Sequence, residues 1–421
     1  MPAPIRKSLL QFIFSGAYMK RWNDKLRPTE LIEIDKQAHK MIVAWMLCRL
    51  DGEGKTPAQR LALEKRVVEE GIFDYLLRLV ITDIKPQILD RIRENPGHYQ
   101  RLATWATEEI RPVLLPVGGD FFARFCAYVL NPRPEGRAAD ILAAAHTFAS
   151  AFELRLLKTL GGPFEEEIKD IEEQFLKRLD TLTSLPGVAA LAFALRAAGN
   201  ETTALARFAA LCGQLRFQKR WSQTPRIPET SVMGHMFVTA CYAFFLSLSL
   251  DACPARVVNN FFCGLFHDLP ELLTRDIISP VKKSSNELGE LIREYEESEL
   301  ERRVLRPLRK DGCEDIATRL SYYLGLETGS EFTECVIRNG KVEKVDFAEL
   351  EAFCNLDEMD PKDGEALKIC DTLAAYIEAY TAMRNGIASA HIQEAFWRMR
   401  EQNGRRMLGK HHIGAVFADF D

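Results

Sequence analysis

His267 and Asp268 stand side by side at the end of an apolar run, Phe261 to Phe266. An imidazole next to a carboxylate suits a divalent metal that takes mixed nitrogen and oxygen ligands, such as Mn, Fe, Co, Ni or Zn. Adjacent residues on a helix point about 100° apart, so both reach one ion only at their shared edge. Glu271 follows His267 by four residues and shares its helical face. Asp276 and Lys282 come next, in a segment that Pro280 holds out of regular helix. A His-Asp pair that only ties a core together is the plain alternative, so chemistry here depends on what else the chain brings to the pair.

The elements that must bring it are helices. Apolar residues recur with helical period over Leu9–Tyr18, Leu31–Leu50, Pro57–Ile81, Gln100–Leu114, Phe121–Val129, Ala138–Leu160 and Phe164–Leu182. The same period returns over Ala204–Trp221, 232–250, 254–268, 285–308, 314–325, 363–384 and 388–402. The expected fold class is all-α, with one β-hairpin over 332–345, where two alternating runs flank Asn339-Gly340, a turn pair that favours type I′. Gly199-Asn200 closes the short helix Pro186–Ala198, and Asn200 or Thr202 can cap the next one. That break divides the chain into residues 1–185 and 200–421.

A chain of 421 residues has room for two such domains, each with a real core. At 47% hydrophobic and 27% charged residues the composition is that of an ordinary globular protein. The net charge of −5 gives no reason to expect nucleic acid or an anionic membrane as a partner. The ten cysteines contain no Cys-x-x-Cys pair, and several lie in apolar helical runs, which points to reduced thiols and a cytoplasmic protein. Arg6-Lys7 ahead of an apolar stretch imitates a signal peptide, but no Ala-x-Ala site follows, so an amphipathic first helix is expected. Val232–Leu250 lacks Asp, Glu, Lys and Arg but contains Gly234, His235, Thr239, Ser247 and Ser249 and is expected as a buried helix. Gly54-Lys55-Thr56 resembles the end of a phosphate-binding loop, but Arg49 stands where that motif needs glycine.

The two halves echo each other. Lys20-Arg21-Trp22 recurs as Lys219-Arg220-Trp221, followed by His39 in one half and His235 in the other. Gly71 to Pro86 lines up with Gly264 to Pro280 if one gap is allowed, and Asp140-Ile-Leu-Ala-Ala-Ala resembles Asp371-Thr-Leu-Ala-Ala-Tyr. This is the pattern of a duplicated domain. In that alignment Phe73 replaces the histidine of the His-Asp pair and Arg78 falls near Glu271. Losing a ligand and the neighbouring carboxylate should largely abolish metal affinity in the first copy.

His235, His267-Asp268 and Asp371, on three helical stretches, form a pattern that resembles the HD superfamily of metal-dependent phosphohydrolases. Arg220-Trp221 before His235, then His-Asp-x-x-Glu-x-x-Thr-x-Asp-x-x-x-Pro-Val-Lys and Leu367 to Tyr376, is similar to the bacterial 5′-deoxynucleotidases. The close likeness covers about 220–285 and 365–385. The resemblance implies tandem HD-type helical bundles, the first degenerate and the second catalytic. It implies that His235, His267, Asp268 and Asp371 bind one divalent cation (Mn, Co, Fe, Ni, Zn or Mg), that Glu271 is the catalytic carboxylate, and that Asp276 stands at the sugar. Trp221 would shape the deoxyribose pocket and Arg220 would hold phosphate. The implied substrate is a nucleoside 5′-monophosphate. A dNTP or cyclic nucleotide, and a non-catalytic nucleotide-sensing module, stay open beside it. Gly234 departs from the acidic residue usual before the first histidine, and the extra length near 300–362 could cover the pocket. The chain would act as a monomeric pseudo-dimer or a homodimer, with no membrane partner.

Overall fold

The structure is a computed structural model describing residues 5–158, 165–197, 202–275 and 285–420. Asp276, Pro280, Lys282, Gly199 and Asn200 lie outside the described residues. The fold is all-α, with three small two-stranded sheets among the described residues.

Local chemistry sets the helix starts. Thr56 and Gln59 form a reciprocal capping box with Pro57 in the first position, so α3 (Pro57–Ile81) begins after α1 (Lys7–Phe14) and α2 (Glu33–Asp51) at the expected residue. A long helix, α4 (Arg137–Lys158), closes the first bundle. Thr203, rather than Asn200 or Thr202, caps α5 (Ala204–Cys212), accepting a hydrogen bond from the Ala206 amide. Ser231 and Asp363 likewise cap α6 (Val232–Ser249) and α8 (Gly364–Arg384), with α7 (Pro254–Phe266) between them. The hairpin pairs Cys335–Arg338 with Lys341–Lys344, and Asn339 and Gly340 both have positive φ, 51° and 74°, as a type I′ turn requires.

Several parts differ from the expected elements, among them Leu31–Ile32, which pairs as a strand with Lys20–Arg21 where a helix start is expected. The stretches at Leu9–Tyr18 and Ala204–Trp221 tighten into 3₁₀ turns at Ser15–Tyr18 and Gly213–Phe217. Pro86–Glu94 forms a further short helix, with Ile88, Leu89 and Ile92 along one face but no residue fully buried. The C-terminus adds a small hairpin, Met407–Leu408 with His411–His412, and a short helix, Gly414–Ala418.

One continuous core runs through both halves. Trp45 of α2 meets Phe266 of α7 edge-on at 4.7 Å, and Tyr75 of α3 meets Phe237 of α6 at 4.9 Å. Helix α6 is long and apolar enough to cross a membrane by length and composition, but 89% of it is buried by the helices around it. It is the central core helix.

Candidate metal centre

Three helices converge on one point. Ser231 caps α6 through the Gly234 amide at 2.9 Å, which places His235 in the first turn. Gly264 lets α7 lie directly on α6, since a Cβ there would come 2.8 Å from the Ala240 Cα. That contact brings His267, just beyond the end of α7, to a ring separation of 5.4 Å from His235. Helix α8 delivers Asp371 two turns after its Asp363 cap.

The four sequence-predicted ligand residues meet here. His235 Nε2 lies 3.1 Å from Asp371 Oδ1 and 3.8 Å from Asp268 Oδ2. His267 Nε2 lies 3.3 Å from Asp268 Oδ2 and 3.8 Å from Asp371 Oδ1. Ligands about 2.1 Å from a common ion sit roughly 3–3.5 Å apart; the two shorter separations fall in that range, the two of 3.8 Å lie just beyond it, and His235, His267 and Asp268 group closely enough to share one ion. The hydrogen bonding agrees. His267 Nδ1 donates to the Gly264 carbonyl at 2.8 Å, which fixes the tautomer, and its buried Nε2 has no hydrogen-bond partner.

The two carboxylates and His267 hold one another charged. Burial opposes charge on His267, yet Asp268 and Asp371 outweigh it and hold the imidazole well above its usual range. Burial likewise opposes ionisation of Asp268, and His267, Arg220 and His235 overcome it, lowering the carboxyl. Asp371 is driven down against burial by both histidines and by Lys368.

Arg220 and Trp221 border this centre. Arg220 Nη1 donates to Asp268 Oδ2 at 3.1 Å, while the Trp221 indole donates to Glu378 Oε2 at 2.8 Å. Glu271 is buried at the start of the short helix Glu271–Thr274 and acts electrostatically on Arg220. Asp276 lies outside the described residues.

Several neighbours were not singled out from sequence. Glu378, fully buried, also accepts from Thr230 Oγ1 at 2.7 Å and lies 3.7 Å from His235 Nδ1. It follows Asp371 by seven residues, two turns along one helix face, and that spacing could have revealed it. Lys368 Nζ is 2.7 Å from Asp371 Oδ2 and 4.2 Å from the Phe332 ring centroid. Phe332 comes from the 300–362 stretch and reaches within 6.2 Å of the His267 ring, so that stretch does border the cleft. Gly234 makes room for the first half: a Cβ there would lie 2.7 Å from Asp35 Oδ1, which accepts from Ser231 Oγ at 2.6 Å.

A second cluster occupies the matching place in the first half. Trp22 and Trp221 share a left-handed backbone, φ 56° and 55°. Lys20 pairs with Ile32 as Lys219 pairs with Ser231. The Trp22 indole donates to Glu153 Oε2 at 2.9 Å, as Trp221 does to Glu378. Those pairings set Lys36 level with His235, and His146, rather than Asp140, level with Asp371. Gly71 abuts Met41 as Gly264 abuts Ala240, and Thr82 and Arg275 end their helices with φ 53° and 68°. The register over this stretch therefore needs no gap: Asp74 is level with His267, and Phe73 with Phe266. Arg216, from the segment after α5, reaches across to Glu153 and His39 at 2.9 and 3.0 Å, so the start of the 200–421 stretch completes the first half's cluster.

Residues 212–400 match the family model described as HD domain, a little under half of the chain. Families with this domain are generally hydrolases that bind divalent metals, which fits the cluster of His235, His267 and Asp268. No curated protein and no solved structure is similar enough to be matched.

Proposed function

We propose that the HD-domain half is a metal-dependent phosphohydrolase that releases phosphate from nucleoside 5′-monophosphates, deoxynucleotides foremost. The observation that carries this reading is the convergence of two imidazoles and two carboxylates beside a guanidinium, Arg220, and a buried carboxylate, Glu271. His235, His267, Asp268 and Asp371 would hold the cation. When bound, the cation supplies Lewis acidity to a phosphoryl oxygen and makes water a nucleophile at neutral pH.

The chain's own residues do the rest. Arg220 offers a donor fork to the phosphate dianion, turning from Asp268 when substrate enters. Water adds to phosphorus, the P–O5′ bond breaks, and the 5′-oxygen leaves with a proton. Glu271 serves that proton traffic, either taking it from water or giving it to the leaving oxygen. Glu378 orients His235, Trp221 and Arg220 together and so keeps the indole at the sugar side. Asp276 would meet the sugar.

The first half is proposed as a diverged copy that keeps the frame and has lost the ligands. The matching tryptophan turns, glutamates and glycine contacts support this, as does the shared core, in which the halves take the place of two subunits. Ten free thiols fit a cytoplasmic setting.

The test is phosphate release from a panel of ribo- and deoxynucleoside mono- and triphosphates and cyclic nucleotides, with and without chelator. Metal-dependent release confined to 5′-monophosphates is expected. Cleavage of triphosphates or cyclic nucleotides alone would move the substrate class, and no release with any metal would reject the hydrolase.

A further inference from the structure

Lys36 is the most unusual group in the first half. Its side chain is 1% exposed, yet among the described residues its ammonium has a single hydrogen-bond partner, His146 Nδ1, at 2.7 Å. An ammonium has three donors, so two N–H groups remain unspent at a buried point. His146 above it is solvent-exposed, although densely surrounded, as a group lining a concavity is. Lys36 therefore sits at the floor of a depression that reaches solvent.

The depression is cationic. Arg21, Lys40, Arg78, Arg178 and Arg216 gather with Lys36 around Glu33, Glu153 and Asp74. Asp83 at the rim binds Arg78, and Asp35 lies behind, paired with Ser231. Even with both counted, six basic groups face five carboxylates, and burial with Arg21 and Lys40 pushes the Lys36 ammonium down to about 7, as a buried cation short of counter-charge is. The imidazole of His146 is held well below its usual range by Lys36, burial, Lys40, Arg21 and Arg178, which reports the same positive field.

We propose that this depression binds a phosphate group, as orthophosphate or as the monoester of a nucleotide, without any metal ion. Lys36 stands where His235 stands in the other half, and a bound anion would hold its ammonium charged in place of a metal ion. Its unspent donors, with Arg178 at the mouth, match an oxyanion carrying two charges and several acceptors. The cluster alone carries this proposal; it does not require the other half to be a hydrolase.

The full chain, stripped of metal by chelator, is titrated calorimetrically with orthophosphate and, separately, with dAMP. One site per chain is expected. Lys36→Met should weaken it roughly tenfold or more, the worth of hydrogen bonds to a charged group. Arg178→Gln, on the surface and safe for folding, should weaken it about two- to fivefold. Tighter binding of dAMP than of orthophosphate identifies a nucleotide site; equal affinity identifies a phosphate site. No heat with either ligand, or Lys36→Met binding as well as the parent, overturns the proposal. If Lys36→Met does not fold, unchanged affinity in Arg178→Gln overturns it. Lys36→Met that still hydrolyses nucleotides but no longer binds phosphate when stripped separates this site from the catalytic one.

Discussion

Two clefts built on the same turn, tryptophan and buried glutamate have taken opposite solutions to the same electrostatic problem. In the half that matches the HD-domain model, imidazoles and carboxylates face one another with an unpartnered Nε2 between them, a donor set suited to an external cation. In the first half the positions level with His235 and Asp371 are Lys36 and His146, two nitrogen bases 2.7 Å apart among neighbouring guanidinium groups. Asp74, level with His267, is tied to Lys40 and to the Tyr128 hydroxyl at 2.8 Å. Arg78, level with Glu271, bonds the Thr82 carbonyl and approaches Glu33 at 3.4 Å. Under the proposed duplication, this is a metal site lost while its frame survives, with Lys36 standing where a ligand to the ion would stand.

Substitutions at paired positions should separate the clefts, and the largest contrast lies at the ligands. Asp268→Ala should lose the metal and reduce phosphate release to background, while Asp74→Ala should leave turnover unchanged. Steady-state assays on both proteins check this, and equal losses would erase the distinction between the halves.

Glu271 and Arg78 form the next pair. Glu271→Ala should lower kcat by ~10²–10⁴-fold, the usual worth of a placed acid or base, while keeping its metal. Arg78→Ala should lower kcat little or not at all. If Glu271→Ala loses the metal instead, Glu271 is a ligand and the four-residue set is incomplete.

Glu378 and Glu153 test the shared frame. Glu378→Gln should weaken metal affinity by about 10–100-fold, as loss of a ligand's orienting partner does. Glu153→Gln strips a charge partner from Arg21 and Arg216 and should cost on the order of 3 kcal/mol in unfolding free energy with metal binding unchanged.

How much of this could be foreseen depends on where the signal resides. The His-Asp pair at the end of an apolar helix was legible because adjacency and burial are both properties of a short stretch. The capping box at Thr56 and the Asn339-Gly340 turn were legible for the same reason. The counterparts of the ligands were not. Lys36 shares no chemistry with His235, so only the strand pairing at Lys20 and Lys219 reveals that they coincide. His39, which lines up by residue type, instead bonds the Ala209 carbonyl at 2.8 Å, packs on Phe152 and meets Arg216 at 3.0 Å. Glu378 was hidden because a glutamate in a long helix reads as surface until Trp221 and Thr230 are seen to converge on it.

The smallest expected effect concerns the seam between the halves. Burial raises the Asp35 carboxyl from 3.8 to about 6 despite the Ser231 hydroxyl bonding it. A raised acid favours the folded state while protonated, so its contribution is full below about pH 4 and is lost as pH climbs from about 4 to 6. Asp35→Asn lacks this loss and should gain on the wild type across that window by on the order of 2 kcal/mol. Chemical denaturation at pH 4 and pH 7 measures the difference, and parallel pH profiles would contradict it.

The asymmetry itself is tested most directly by anomalous diffraction from crystals of the metal-loaded protein, collected at the absorption edge of the ion present. The account predicts one peak per chain, bounded by His235, His267, Asp268 and Asp371, and none beside Lys36, Asp74 and His146. A peak in the first half, or none among the four ligands, would contradict it.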